Sequence, residues 1–451
     1  MSEGGRPELL ALAENLAARA EGDERIEVFV ARGESTAVRA YGGEIEEHRH
    51  GATAGVGVRV VAGPRQGFAW GGSLDPEVVE EVLAQARENV AFAEPDEAVG
   101  LVRDDGVAPP DLDLAVADLG RRSADDKRAL ALELERRILA ADPRITGVRI
   151  ASYADGRSEG AVANSEGLSA WSEGTSASLS ASVLAADGDE TRIAYSYDAA
   201  RDPDELDLDA VVAEAVERAT ALLGAKKPAS TRLPVLLDRR VAASFLGLVA
   251  GTLTGDRVAK GRSPFADRLG EQIASSALTL VDDPTDPRHL GADTHDGEGI
   301  ASRRNVLIER GVLQRFLHDG TSARRTGSAS TGSAVRGTRS TPTPGVRALQ
   351  VEPGARSPDR LIAGLERGLI VVSVSGLHSG VNPVSGDFSV GIEGLMIRDG
   401  ELAEPVKEAT IASTLQRMLL DLTEVGDDLA FRGGGDGGAS LLVGDLALSG
   451  V

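Results

Sequence analysis

The sequence predicts an α+β fold: two N-terminal halves that each combine helices with an antiparallel sheet, followed by a β-rich C-terminal domain. Helical and strand patterns occur in separate blocks, which argues against a doubly wound α/β fold. Many of the 54 glycines punctuate the strand segments, as expected for tight turns. The order helix, strands, helix occurs twice before residue 225, which suggests a structural duplication.

The first half, residues 1–97, begins with an amphipathic helix predicted at residues 9–20. Alternating apolar residues then predict strands, at 26–31, 35–41, 44–50, 53–61 and 66–70. A second helix is predicted at residues 75–93, because its apolar residues recur at helical spacing and Pro76 lies in its first turn, where a missing N–H costs nothing. The segment from 94 to 113 is rich in Pro and Asp and predicts a linker.

The second half, residues 114–225, repeats this arrangement. A helix is predicted at 123–141, where Asp125 and Asp126 favour the positive end of the helix dipole. Strands resume at residue 145, and residues 175–183 alternate serine with apolar residues, as in a half-buried antiparallel strand. A third helix is predicted at 208–223.

The C-terminal domain, residues 231–451, follows a second linker near residues 225–232. Its predicted helices are 239–253, 357–364 and 410–421. Its predicted strands include 305–309, 369–374, 388–397 and 441–446.

Composition excludes several kinds of site. The chain has no cysteine, so thiolate nucleophiles, Cys-ligated zinc, iron–sulfur clusters and disulfides are excluded. Its six histidines lack the spacing that places two imidazoles on one helix face. Composition therefore predicts that this chain does not perform catalysis with a zinc or thiol site of its own.

Charge and hydropathy bear on partners and location. The net charge of -23 argues against nucleic acid and anionic membranes, which basic patches bind. The sequence begins without a signal-peptide pattern and has no apolar stretch of the roughly 20 residues that a membrane span needs, so a cytoplasmic protein is expected. Four arginines in a Gly/Ser/Thr-rich stretch form the best basic patch, for which a solvated loop is favoured: Arg324, Arg325, Arg336 and Arg339.

Three residue patterns have both a functional and a structural explanation. Residues 156–160 match G-x-S-x-G, but a strand follows where a nucleophile elbow needs a helix, so a hairpin turn is favoured. Glu46, His48 and His50 share one strand face and could hold a divalent ion, although an exposed polar face is commoner. An acidic region could bind a hard cation but lacks the spacing of a calcium loop, and solvated loops are favoured there: Asp282, Asp283, Asp286, Asp293, His295, Asp296 and Glu298.

Several short segments, in order along nearly the whole chain, resemble the TldD/PmbA family of metallopeptidase-related proteins. They are GVGVRV (55–60), GFA (67–69), ANSEG (163–167), DGEG (296–299), LIERGVL (307–313), STG (330–332), GVNPVSGDFS (380–389), EPV (404–406) and TIA (410–412).

The resemblance implies a fold and a division of labour between two kinds of subunit. TldD-type members carry His-Glu-x-x-x-His on a C-terminal helix, with a cysteine as a further zinc ligand, and PmbA-type (TldE) members lack it. Here the corresponding helix reads SFLGLVAGT at residues 244–252, without His or Glu. The resemblance therefore implies a non-catalytic PmbA/TldE-like subunit that binds no cofactor itself. Its TldD-type partner would supply the zinc, and the heterodimer would act on unfolded or ribosomally made peptides.

The peptide contact is expected at the GVNPVSGDFS segment and the histidine before it, with these lining residues: His378, Asn382, Gly386, Asp387, Phe388 and Ser389. An exposed strand edge would give sequence-tolerant backbone pairing. Two alternatives remain open. One is a homodimeric peptide-binding or scaffold protein without protease activity. The other is an enzyme with different chemistry, using Ser158 or the acidic loops.

Overall fold

The computed structural model describes residues 7–431 and 437–450. The helices in these residues are α1 (Glu8–Ala17), α2 (Pro76–Val90), α3 (Ala124–Ala141), α4 (Leu208–Thr220), α5 (Arg239–Thr252), α6 (Gly255–Ala259), α7 (Gly320–Thr326), α8 (Pro358–Ala363), α9 (Leu377–Gly380) and α10 (Leu415–Leu420).

The strands are β1 (Arg25–Tyr41), β2 (Glu44–Ala62), β3 (Arg65–Gly71), β4 (Ile145–Asn164), β5 (Ser169–Asp187), β6 (Glu190–Ala200), β7 (Thr231–Leu237), β8 (Leu280–Asp282), β9 (Asn305–Glu309), β10 (Val312–Leu313), β11 (Ala334–Val335), β12 (Thr343–Pro344), β13 (Leu349–Val351), β14 (Arg367–Ser375), β15 (Asp387–Arg398), β16 (Glu401–Thr414), β17 (Leu422–Val425) and β18 (Leu441–Ser449).

The N-terminal part is one six-stranded antiparallel sheet in the order β3-β2-β1-β4-β5-β6. Strands from residues 1–97 and 114–225 meet where β1 pairs with β4 along residues 27–40, so both predicted halves contribute to one sheet. The division of the chain into three domains stays a prediction.

Helices α1 to α4 cover one face of this sheet. Helices α1 and α2 pack on β1, β2 and β4, and α3 and α4 pack on β1, β4 and β5. Side chains alternate between the faces of a strand, so Val30 and Leu179 enter the helix-covered core while their neighbours in the chain face the opposite side. None of the four α-helices described in residues 7–225 packs on that opposite side.

The two strands predicted within residues 26–41 are a single strand, as are the two predicted within residues 44–61. The prediction placed breaks near Gly33 and Gly51, and these breaks were wrong. Both glycines lie in the paired register of β1 and β2, and neither has a positive φ. Glycine permits a turn but does not impose one, and the continuous ladder of hydrogen bonds keeps these residues extended.

The C-terminal part is built around a sheet in the order β16-β15-β14-β7-β18-β17. Strand β16 also pairs with β18, so five of these strands form a closed ring. Helix α5 contributes to the large apolar core of this part. A smaller sheet, in the order β10-β9-β8-β13, lies beside it.

The predicted helix at residues 410–421 was wrong in its first half. Residues 410–414 are the end of β16, paired with both β15 and β18, and helix α10 begins only after Thr414, whose side chain accepts the Arg417 N–H. Thr410, Ile411 and Thr414 are β-branched, which favours a strand. No helix among the described residues is long and apolar enough to cross a membrane.

Candidate functional site

Helix α5 lies at the position where the resemblance places a zinc-binding helix. It begins after Asp238, whose side chain accepts the Arg240 N–H, and it follows directly on strand β7. Its buried side is apolar and includes Val241, Phe245 and Val249. The helix is therefore held by packing against the C-terminal core.

Phe245 on α5 packs against an aromatic ring at the start of β15. Its ring meets that of Phe388 edge to face, with the centroids 6.0 Å apart, and both side chains are buried. Zinc is bound by thiolate, imidazole or carboxylate groups, and residues 239–252 contain none of them. The residues at this position do not fit a zinc ion.

No other zinc position emerges from the described residues. Across residues 7–431 and 437–450, no three His, Cys, Asp or Glu side chains are grouped so that they could hold a metal ion.

The predicted peptide-contact residues lie on α9, on the loop that follows it and at the start of β15, where Phe388 contacts Phe245 of α5. His378, Asn382, Asp387 and Ser389 are exposed. Phe388 is only 4% exposed, so its side chain contributes to the core rather than to an open surface. A peptide-binding role for this segment stays a prediction.

Local hydrogen bonds fix the conformation of this loop. Asn382 Oδ1 accepts the N–H groups of Val384 and Ser385, at 2.9 and 3.3 Å, and the Ser385 hydroxyl donates to Asp387 Oδ2 at 2.6 Å. Gly386 is buried with a φ of 85°, a backbone conformation that favours glycine. A Cβ atom there would lie 2.1 Å from Gln416 Oε1.

The three residues considered as a possible divalent-ion site have separate partners. Glu46 pairs with Arg39 at 2.8 Å, His48 Nδ1 accepts from Arg128 at 3.2 Å, and His50 Nδ1 lies 3.3 Å from the Thr36 hydroxyl. These contacts fit the exposed polar strand face that the sequence favoured.

The G-x-S-x-G segment is part of strand β4. Residues 156–160 pair with β1 on one side and β5 on the other, so the predicted hairpin turn was wrong. Neither Gly156 nor Gly160 has a positive φ, and the chain continues as a strand. A nucleophile elbow needs a sharp turn between a strand and a helix, and this segment makes none.

The acidic region predicted as solvated loops is largely buried, which corrects that prediction. Asp282 is fully buried and accepts the N–H groups of Arg347 and Ala348. Asp296 accepts three backbone N–H groups, at 2.9 to 3.0 Å, and burial raises its pKa to about 6. These carboxyls satisfy buried backbone donors instead of facing water.

The arginine patch predicted as a solvated loop holds the two parts of the molecule together. Arg324 donates to the carbonyls of Ala98 and Gly100, both at 2.7 Å. Arg325 pairs with Asp96, and Arg339 stacks on Trp70. The side chain of Arg336 is fully buried. The prediction was wrong for Arg336, whose side chain is buried. Arg324, Arg325 and Arg339 are exposed, as the prediction expected, although each also finds a partner that is distant in sequence.

A cluster of four buried ionisable side chains crosses between the N-terminal sheet and the C-terminal part. Glu27 on β1 binds Arg59 on β2 at 2.7 Å and also Arg336. Arg59 lies 3.6 Å from Glu298, which also accepts the Gly320 N–H at 2.7 Å. We call Glu27, Arg59, Glu298 and Arg336 the buried charge cluster.

The two acids of this cluster ionise differently. Burial opposes the ionisation of Glu27, but Arg59 and Arg336 outweigh it, and the pKa of Glu27 is lowered. Burial dominates at Glu298 and raises its pKa to about 8. The difference follows from geometry, because Glu27 accepts from two arginines and Glu298 Oε1 has no hydrogen-bond partner.

Sequence reasoning missed this cluster, although one signal was present. Arg59 is the one charged residue in the run GVGVRVV at residues 55–61. Such a run predicts a buried strand, in which water cannot solvate the guanidinium group. A buried charge requires a partner. The sequence could not name the partners, because Glu27 lies on a different strand and Glu298 lies far along the chain.

Comparison with known proteins agrees with the geometry. Three family models cover most of the chain: PmbA/TldA metallopeptidase domain 1 at residues 26–90, the central domain at 117–223, and the C-terminal domain at 230–450. The chain belongs to the PmbA/TldD family.

Individual relatives of this PmbA/TldD member match over nearly their whole length. It is 28% identical to the metalloprotease PmbA of Escherichia coli O157:H7 over 419 residues, which are 92% of this chain and 90% of that protein. It is 28% identical to a PmbA homologue of Haemophilus influenzae, covering 96% and 94%, and to a TldD homologue of the same species, covering 85% and 82%.

A solved structure extends the likeness to three dimensions. The crystal structure of TldE from Thermococcus kodakarensis superposes with a TM-score of 0.88 at 25% sequence identity, covering 98% of this chain and 99% of that one. The predicted family and the α+β fold are confirmed.

Proposed function

We propose that this chain is the PmbA/TldE-type, non-catalytic subunit of a two-subunit metallopeptidase. A TldD-type partner supplies the zinc, and the pair acts in the cytoplasm on unfolded or ribosomally made peptides. The observation that supports the proposal is the apolar packing of α5, where the Phe245–Phe388 contact stands in place of metal ligands.

The similarity to two kinds of relative supports a pair of subunits. This chain resembles proteins named PmbA and TldE, and it also resembles a protein named as a TldD homologue over 85% of its length. Subunits of one shared fold can associate through equivalent surfaces. In such a pair, the TldD-type subunit would carry out the catalysis and this chain would help to bind the peptide.

The proposal is tested by mixing purified subunits. The full chain, a TldD-type subunit from the same organism, and their equimolar mixture are each assayed with fluorescein-labelled casein as an unfolded substrate. Zinc in each sample is measured by inductively coupled plasma mass spectrometry. We expect cleavage in the mixture, with zinc in the partner and less than stoichiometric zinc in this chain.

Other outcomes identify the alternatives. Stoichiometric zinc and cleavage in this chain alone would overturn the non-catalytic assignment. A homodimer that binds peptide and gains no activity from any TldD-type subunit would favour the scaffold function. Activity of the partner that is unaffected by this chain would also contradict a shared enzyme.

A further inference from the structure

A cleft of about 650 Å³ lies between the helix-free face of the N-terminal sheet and loops of the C-terminal part. One wall is formed by β1, β4 and β5. The other includes residues 290–297 and 334–336, together with Arg347. The cleft is separate from α5 and from residues 376–389, so it is a second place where this chain could bind a ligand.

The floor of the cleft is a flat surface formed by small residues of β1, β4 and β5. Its central row is Gly33, Ser158 and Gly174, which pair across the three strands. The rows on either side also hold only alanine, glycine and serine, and all of these residues line the cleft. A Cβ atom at Gly33 would lie 3.7 Å from the Cβ atom of Ser158, which confirms that these positions face the same side.

The size of this floor suits an extended peptide. Three strands span about 10 Å, and five residues along a strand span about 14 Å. An extended chain advances about 3.3 Å per residue, so a segment of four or five residues fits along the floor. The small side chains let the backbone of such a segment approach the sheet closely.

Hydroxyl groups on the floor are available to a ligand. The side chains of Ser158 and Ser176 are exposed, and neither hydroxyl hydrogen-bonds to another described residue. A hydroxyl both donates and accepts, so it can bind either polar group of a peptide backbone.

A positive charge lies at one side of the floor. A Cβ atom at Gly174 would be 3.6 Å from Nη1 of Arg201. Arg201 donates to the carbonyls of Leu114, Pro287 and His289. Among the described residues, no carboxylate lies within 4 Å of Arg201, although the other arginines that line the cleft all have one.

A second guanidinium at the inner end of the cleft is incompletely paired. The Arg336 side chain is fully buried and lies over the ring of Phe29, which lines the cleft. Its Nε and Nη2 atoms have no hydrogen-bond partner among the described residues. Buried donors without a partner are costly, but Arg336 is fully buried and already paired with Glu27, so no ligand is assigned to it.

Two acids line the opposite wall, and both are already engaged. Asp296 accepts three backbone N–H groups. Asp293 accepts from the Ser172 hydroxyl at 3.2 Å and lies 3.9 Å from Arg347. It therefore does not neutralise Arg201 by contact.

We propose that this cleft binds the end of an extended peptide, with the backbone along the Gly/Ser floor and the terminal carboxylate against Arg201. The inference rests on the proposed function, in which this chain helps to bind a peptide substrate. It identifies where the end of that peptide would bind. A charge-assisted hydrogen bond to a guanidinium is among the stronger recognition contacts. The site would select a free carboxyl terminus while tolerating different side chains.

The test measures binding to the full chain by fluorescence anisotropy. The probe is a hexapeptide of alanine and serine with fluorescein at its amino end, made once as the free acid and once as the amide. We expect the acid to bind about tenfold more tightly, as a lost charge-assisted contact predicts. Arg201→Gln should weaken binding of the acid and abolish the difference between the two peptides.

A second variant separates binding from folding, because Arg201 also holds loop carbonyls. Ser158→Phe places a large side chain at the centre of the floor, at an exposed strand position where Phe is well tolerated. It should weaken the binding of both peptides at least about tenfold, because the Phe ring fills space on the floor that a peptide residue would occupy. The melting temperature should be unchanged. Its matched control is Ala37→Phe, on the same face and strand ladder but outside the cleft.

Each remaining outcome is decisive. Equal binding by wild type, Ser158→Phe and Ala37→Phe, or equal binding of acid and amide, overturns the inference. A change of oligomeric state in Ser158→Phe without a change in peptide affinity would show that a second copy covers this face, which also overturns it.

If the mixture with a TldD-type subunit is active while Ser158→Phe changes neither binding nor cleavage, the inference fails and the proposed function stands. If the peptide binds the cleft but no partner gives activity, the proposed function fails instead.

Discussion

At the scale of single residues, Glu298 shows how burial sets the behaviour of a charge. It is fully buried, one of its oxygens accepts the Gly320 N–H, and Arg59 lies 3.6 Å from the other. Burial raises its pKa to about 8, while the unfolded chain would hold it near the ordinary value of about 4.3. The folded protein therefore binds more protons than the unfolded protein between these values.

This residue gives a pH prediction with a definite sign. Because the folded state holds the extra proton, the free energy of unfolding should fall as pH rises from about 5 to about 8. Glu298→Gln removes the titration, so its urea midpoint should decline less over this range than that of wild type. The measurement is urea unfolding followed by circular dichroism at several pH values.

The control for this experiment is Glu44→Gln, which changes an exposed carboxyl at the start of β2. Its midpoint should follow wild type across the range. Parallel curves for wild type and Glu298→Gln would contradict a raised pKa at Glu298.

At the scale of elements, α5 is a helix stabilised by packing where the family resemblance expects metal ligands. Phe245 is 3% exposed and contacts Phe388. Phe245→Ala should lower the free energy of unfolding by about 3–5 kcal/mol, the usual cost of removing a buried aromatic ring. Urea denaturation measures this loss.

Two further variants make this prediction specific to the contact. Ser244→Ala changes an exposed position on the same helix and should cost less than about 0.5 kcal/mol. A double-mutant cycle with Phe388→Ala should show a coupling of about 0.5–1.5 kcal/mol for the aromatic pair. Additive effects of the two substitutions would show that the rings do not stabilise each other.

At the scale of the whole molecule, the buried charge cluster joins the N-terminal sheet to the C-terminal part. Arg59 and Glu27 come from the sheet, and Glu298 and Arg336 come from the C-terminal part. Removing Arg59 takes away one of the two arginines that pair with Glu27 and leaves Glu298 without its nearby cation. Arg59→Met keeps the length of the side chain and removes its charge, so it should cost about 3–5 kcal/mol.

This substitution should also change how the molecule unfolds. If the cluster couples the two parts, differential scanning calorimetry of Arg59→Met should show broader or separated transitions compared with wild type. Arg19→Met is the matched control, because Arg19 forms an exposed ion pair with Glu80, and exposed pairs contribute little. Equal effects of the two variants would argue against a special role for the buried cluster.

The elements most readily predicted from the sequence were the helices of the N-terminal part. Residues 75–93 and 123–141 contain α2 and α3 within a few residues of the predicted ends, because periodicity and capping act within a few turns of chain. The apolar character of α5 was also evident, since it follows from which residue types are present. The short sequence segments that resemble the family identified it through their order along the chain, although each is short by itself.

Strand continuity was decided by tertiary structure. The predicted turn at residues 156–160 is the middle of β4 because β1 and β5 pair with it on both sides. Residues 410–414 are a strand for the same reason. Hydrogen bonds between distant segments outweigh local turn and helix preferences of about 1 kcal/mol per residue or less.

The sequence by itself determined the family, the mixture of helices and antiparallel strands, and the absence of thiol chemistry, because each depends on residue identity and local order. Only the tertiary structure decided which charges are buried and what they face. Arg336 and Glu298 looked like loop residues in solvent, yet they lie beside Glu27 and Arg59. The flat floor around Ser158 arises likewise from three strands distant in sequence, since burial and cleft shape are properties of surfaces that meet only when the chain folds.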